Sequence, residues 1–205
     1  VSDQVKTLPT RRERKKSATR QVIYEAALEL FRTRGYLDTP VDAIVDLADV
    51  AKGTFFNHFP SKDHVLVQYH RELLTAALEH ARSLIHSDKA ILERFDAHFQ
   101  LLASQQTLED DLFRILVSEV LTKPALTALN HDKVMEIAEV YGKLLELGKQ
   151  RSEIRADVDT VLAVDVITCL WPYTLIMWAH GQRKTPPADL MAQKLALVFS
   201  GISTL

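Results

Sequence analysis

Thr39-Pro40-Val41-Asp42-Ala43-Ile44-Val45-Asp46-Leu47-Ala48-Asp49-Val50-Ala51-Lys52-Gly53-Thr54-Phe55-Phe56-Asn57-His58-Phe59-Pro60-Ser61-Lys62 encodes two short helices and the turn between them. The first four residues read as a helix start. The Thr39 hydroxyl is placed to cap, Pro40 fits a first turn whose N–H would be orphaned, and Asp42 stands where a capping box wants a carboxylate. Ile44, Val45, Leu47 and Ala48 carry that helix on, and Asp49-Val50 turns the chain. A further helix over about Lys52 to His58 sets Phe55 and Phe59 four apart, both facing inward, until Pro60 stops it. A second helix with small and polar groups beside a buried aromatic face makes a helix-turn-helix, which places one helix in the major groove of DNA.

The flanks agree. Residues 1–20 carry seven Lys/Arg against two acidic groups, whereas residues 61–205 carry fifteen against nineteen. With a net charge of only −2, the chain as a whole is no electrostatic glue for nucleic acid, so the basic end is the part that faces DNA. Residues 1–16 read as a disordered basic arm, 17–62 as the helix-turn-helix domain and 63–205 as a helical regulatory domain. Arg11, Arg12, Arg14, Lys15, Lys16 and Arg20 are expected to track phosphates or enter the adjacent minor groove.

Helical periodicity continues to the end. A first helix over Ser17 to Arg34 buries Ile23, Ala27, Leu30 and Phe31, and Gly35 supplies the positive φ of its C-terminus. Ser61 is expected to cap a long fourth helix, a continuous strut carrying Val65, Leu66, Tyr69, Leu73, Ala76 and Ala77. Further helices fall at about 89–105, 108–121, 131–150, 157–181 and 187–204, so the expected class is all-α with about nine helices. The 157–181 segment is apolar nearly all round and holds Pro172, which bends it or removes a backbone bond. Its unbroken apolar run, Val166 to Ala179, is short of the roughly 18 residues of a membrane span, so it reads as a buried core helix. Cys169 has no cysteine to pair with and is expected to be a buried thiol. No secretory signal is legible at the N-terminus, and a cytoplasmic protein without a membrane partner is expected.

Ala26-Ala27-Leu28-Glu29-Leu30-Phe31, Gly35-Tyr36 and Lys52-Gly53-Thr54-Phe55-Phe56-Asn57-His58-Phe59-Pro60-Ser61-Lys62 resemble the DNA-binding domain of the TetR family of bacterial transcriptional regulators, over about Thr19 to Leu74. The residues assign the roles. Gly53 lets the recognition helix approach closely, while Lys52, Thr54, Asn57 and His58 face away from Phe55 and Phe59 as donors and acceptors for base edges and phosphates. Thr39 is expected to offer its hydroxyl to a phosphate and Lys62 to clamp the DNA backbone. Three positions depart from the family pattern. Phe56 stands where a Tyr hydroxyl usually reaches a phosphate, Asp49 where the turn usually has Gly, and Ala51 where a Ser usually caps.

The resemblance implies a repressor acting as a homodimer on a pseudo-palindromic operator, its seam formed by the 157–181 and 187–204 helices, with Gly201 permitting close crossing. It also implies a cavity for a small, largely apolar effector. The candidate walls are Phe95, Phe99, Phe113, Tyr141, Trp171, Tyr173, Met177 and Trp178, with His98, Thr168, Thr174 and His180 as polar groups among them. A helical protein-docking module and a DNA-binding regulator without an effector are the alternatives. No Gly-rich phosphate loop or nucleophile elbow is present, and His58, His64 and His70, six apart, fall on different helix faces, so no catalytic, metal or cofactor site is expected.

Overall fold

The computed structural model describes residues 10–105, 111–181 and 185–203, and these are helical throughout apart from turns, loops and one isolated antiparallel bridge, Ile154 to Ser203. The chain divides into two compact units, Val1–Val65 and Leu66–Leu205. The described residues hold nine α-helices of six residues or more, as the periodicity predicts, and one unforeseen four-residue turn of helix.

The first unit is built on α1 (Arg11–Arg34), α2 (Val41–Leu47) and α3 (Lys52–His58), and includes the first residues of α4 (Asp63–Ser83). α1 starts six residues before the expected Ser17, so residues 11–16 are helix and not a disordered arm; residues 1–9 of that arm lie outside the described residues. The cause is a capping box that the periodicity does not reveal. The Thr10 hydroxyl accepts from the Glu13 N–H at 3.2 Å, and a Glu13 carboxylate oxygen accepts from the Thr10 N–H at 2.7 Å. Gly35 ends α1 at φ 85°. The turn between α2 and α3 depends on Asp49 at φ 50°, the left-handed conformation in which the family pattern has Gly. Ile23, Ala27, Phe31, Ile44, Phe55 and Phe59 are fully enclosed; each large side chain among them contributes on the order of 2 kcal/mol by leaving water.

The second unit begins within α4 and continues through α5 (Ile91–Gln105), α6 (Asp111–Leu116), α7 (Pro124–Thr127), α8 (His131–Gln150), α9 (Thr160–Ala179) and α10 (Pro187–Ile202). A π-helical turn, Val117–Leu121, follows α6. α5 packs along α10 and α8 along α9, with the π-turn against α9. Gly148 of α8 marks a tight crossing: a Cβ there would lie 2.7 Å from Ile154 Cδ1. Asp159 caps α9, accepting from the N–H groups of Val161 and Leu162 at 2.9 and 3.1 Å.

Candidate DNA-reading face and effector cavity

α3 holds its register by sinking Phe55 and Phe59 into the first unit, their centroids 5.9 Å apart. Lys52, Gly53, Phe56 and Asn57 are thereby left exposed, with Thr54 and His58 half-buried beside them. Ala51 gives α3 no side-chain cap, so its first N–H groups stay available to an anion. Burial, then the charges of Arg20 and Lys16, hold His58 below the ordinary histidine value. Because residues 11–20 are helical, Arg12, Lys16 and Arg20 recur every four residues on one side of α1, and Arg14 and Lys16 are exposed.

Several predicted DNA contacts are committed inside the unit. Thr39 is fully buried and caps nothing; α2 begins after Pro40 without a side-chain cap. The Thr39 hydroxyl donates to the Gly35 carbonyl at 2.7 Å, with the Leu30 carbonyl at 3.3 Å, and so binds the α1–α2 loop back to the end of α1. No phosphate can reach it. Asp42 completes no capping box either, since its carboxylate meets Lys52 Nζ at 2.7 Å. The Lys62 ammonium donates to the Tyr36 carbonyl at 2.7 Å and the Thr39 carbonyl at 3.2 Å and sits 4.2 Å from the Tyr36 ring centroid. It is engaged with this chain's own backbone, in place of the expected clamp on that of DNA. The Arg20 guanidinium donates to the His58 carbonyl at the end of α3 and lies 4.1 Å from the Phe59 ring centroid. Arg20 and Lys62 therefore position the reading helix, and the Tyr36 hydroxyl donates to Asp63 beneath them.

The second unit encloses a cavity of about 210 Å³ bordered by α4, α5, α6, the π-turn, α7, α8 and α9. Five predicted residues border it, namely Phe99, Phe113, Tyr141, Thr168 and Trp171, with Phe99 and Trp171 rings 5.6 Å apart. The others do not. Phe95 is fully buried behind the wall between Tyr141 and Phe199, at 5.1 and 5.8 Å. His98 is also fully buried, its Nδ1 2.9 Å from His80 Nδ1 and its Nε2 without a partner; burial and the nearby His80 push it down to about 3. Tyr173, Thr174 and Met177 border a separate groove between α9 and α10, where Lys194 donates to the Thr174 hydroxyl at 2.6 Å. Trp178 borders neither space, and His180 caps the end of α9.

The α4 wall, His70, Leu73, Leu74 and Ala77, and the polar Thr127 of α7 lie outside the residues expected from sequence. A visible signal existed in the i, i+3, i+4, i+7 run of 70, 73, 74 and 77, which is the apolar side of α4 with a histidine at its head. Burial lowers His70 to about 4, and Tyr141 is raised by the same cause. The described lining residues include none that is charged at neutral pH.

α9 is a core helix on one side only. It is long and apolar enough to cross a membrane, yet only 33% of its most apolar window is buried. Leu162, Val166, Cys169 and Tyr173 form an exposed stripe along it, and the thiol expected to be buried is at the surface. On α10, Leu197 is 76% exposed and Gly201 is open.

Residues 23–69 match the profile of the bacterial regulatory proteins, tetR family. Over 188 residues the chain is 27% identical to the fatty acid metabolism regulator protein of Bacillus subtilis, covering 88% of this chain and 93% of that one. It is 24% identical over 200 residues to the HTH-type transcriptional repressor KstR2 of Rhodococcus jostii, at 92% and 93% coverage. Among solved structures it is similar to Thermus thermophilus FadR, a TetR family transcriptional repressor in complex with lauroyl-CoA, at 29% identity and TM-score 0.73, covering 89% of this chain and 94% of that one. Bacillus subtilis FadR in complex with stearoyl-CoA is 25% identical with TM-score 0.67, at 89% and 98% coverage.

Proposed function

We propose that this chain, which belongs to the TetR family of helix-turn-helix transcriptional regulators, is a homodimeric repressor released from a pseudo-palindromic operator by an acyl thioester of coenzyme A. The observation that carries the reading is the uncharged, largely apolar cavity of the second unit. At about 210 Å³ it falls below the roughly 300–1,000 Å³ of sites for drug-sized ligands. That size suits a slender acyl chain, the class of ligand held by the lauroyl-CoA and stearoyl-CoA complexes of the two FadR proteins.

On the operator, Lys52, Gly53, Thr54, Asn57 and His58 meet base edges and nearby phosphates, Phe56 packs against the sugar-phosphate backbone, and Arg14 and Lys16 add phosphate contacts. One seven-residue reading helix covers few base pairs, so two are needed. The exposed apolar stripe of α9 and the exposed Leu197 of α10 suit an isologous four-helix seam, which covers side chains such as Leu162, Tyr173 and Leu197. A regulator of this kind works in the cytoplasm, where bacterial DNA lies, and catalyses no reaction. The effector acts by binding the DNA-free form more tightly than the operator-bound form, and linkage then lowers operator affinity by the same factor.

The test is selection of genomic fragments by the purified protein, followed by fluorescence anisotropy on the selected operator with acyl-CoA thioesters of graded chain length. Salt-dependent binding to a pseudo-palindrome and release by acyl-CoA are expected. Binding that no acyl-CoA reverses at saturation would end the effector reading; failure to select any fragment would end the operator reading.

A further inference from the structure

The cavity wall carries a polar device that begins at Asn130, a buried residue at the start of α8. Its side-chain amide is oriented from both ends. Oδ1 accepts from Arg71 Nη1 at 3.3 Å, and Arg71 is itself held by Asp132 through two bonds of 2.9 and 2.6 Å. Nδ2 donates to the Val67 carbonyl at 2.9 Å, an atom that can only accept, so the amide cannot be reversed. The second Nδ2 hydrogen faces His70 Nδ1 at 3.3 Å. That ring nitrogen must therefore be the acceptor. The proton of the neutral imidazole is left on Nε2, and protonating Nδ1 as well would set N–H against N–H.

A second polar group lies on the facing helix. Threonine hydroxyls in helices commonly donate to the carbonyl four residues back, as Thr174 does to Leu170 at 2.6 Å. Thr168 does not: its Oγ1 is buried without a partner, on a residue that borders the cavity. Pro172, four residues on, has no N–H to give the Thr168 carbonyl.

We infer that the cavity reads an uncharged carbonyl oxygen on its ligand, with the His70 Nε2–H as the specifying donor and the Thr168 hydroxyl as the second. The inference rests on the acyl-thioester reading above and deepens it. A carboxylate would enter with no countercharge on the described wall, whereas a thioester carbonyl asks only for donors.

The experiment compares two ligands of equal chain length: the acyl-CoA thioester and the S-alkyl-CoA thioether, in which CH₂ replaces C=O. Affinity is measured by calorimetry for the full-length wild type, for His70→Phe, which fills the site without a donor, and for His70→Gln, which restores one. Circular dichroism checks that each variant is folded. The wild type should prefer the thioester by about tenfold or more, His70→Phe should lose that preference, and His70→Gln should regain part of it. Equal affinities for the two ligands in the wild type would overturn the inference and leave the acyl-CoA reading standing. Retained preference in folded His70→Phe would remove His70 from the role. If neither ligand binds the wild type, the acyl-CoA reading itself falls and the inference with it.

Discussion

Lys52 Nζ lies 2.7 Å from Asp42 Oδ1, so the leading cation of the reading helix is neutralised by the helix before it. Both side chains are more than half exposed, at 55% and 64%, and such a pair contributes no more than about 1 kcal/mol to stability. Its larger effect is on DNA. Asp42→Asn frees the ammonium, and operator affinity should rise several-fold with a steeper dependence on salt, by roughly one counterion per subunit. Anisotropy titrations at several salt concentrations check this; an unchanged slope would show that Lys52 meets no phosphate.

Thr39 and Asn57 should separate stability from reading. Thr39→Val keeps the volume but removes the donor to the Gly35 carbonyl, at a cost of about 1 kcal/mol and a melting temperature a few degrees lower. Its choice of operator should not change. Asn57→Ala, at an exposed position, should leave the melting temperature unchanged and relax sequence preference. Reversed outcomes would return Thr39 to the DNA face.

Asp49 holds φ 50° without being glycine. Asp49→Gly should raise thermal stability modestly, by about 0.5 kcal/mol after the extra entropy of an unfolded glycine, while Asp49→Val should lower it by about 1–2 kcal/mol. Thermal unfolding of the two variants decides; equal melting temperatures would deny the strain.

The buried histidines give stability a definite pH dependence. His70 is lowered to about 4 and His98 to about 3, from an ordinary 6.5. Below 6.5 the unfolded chain takes up protons that the folded chain refuses, so this part of the stability is complete above 6.5 and shrinks as pH falls toward 4. His70→Gln removes one of the two titrations. Its denaturant midpoints should therefore fall less steeply between pH 6.5 and 4 than those of the wild type, and parallel curves would contradict the burial of a neutral His70.

Leu197→Glu puts a charge at the exposed apolar position of α10. Sedimentation should show a monomer, and operator affinity should drop by at least tenfold because two heads no longer bind as one. A variant that remains dimeric would move the seam elsewhere.

The helices and the kind of domain are legible in the amino-acid pattern alone. Helical register is written locally, in the Phe55–Phe59 spacing, the Asp49 turn, Gly35, and the stripe of Ile137, Tyr141, Leu144 and Leu145, and local order survives in any tertiary setting. The capping box of Thr10 and Glu13 was equally local, but the density of basic residues around it masked it as a disordered arm. Tertiary structure alone decided partners. Thr39, Arg20 and Lys62 look like DNA ligands one residue at a time, and each is engaged by a backbone carbonyl four to thirty-eight positions away. The same holds for the cavity. Aromatic spacing marks Phe95 and Phe99 alike as inward-facing, but only packing against Phe199 or Trp171 separates core from wall. The proton on His70 lies furthest from sequence, because an amide sixty residues on fixes it through a hydrogen bond that no local periodicity encodes.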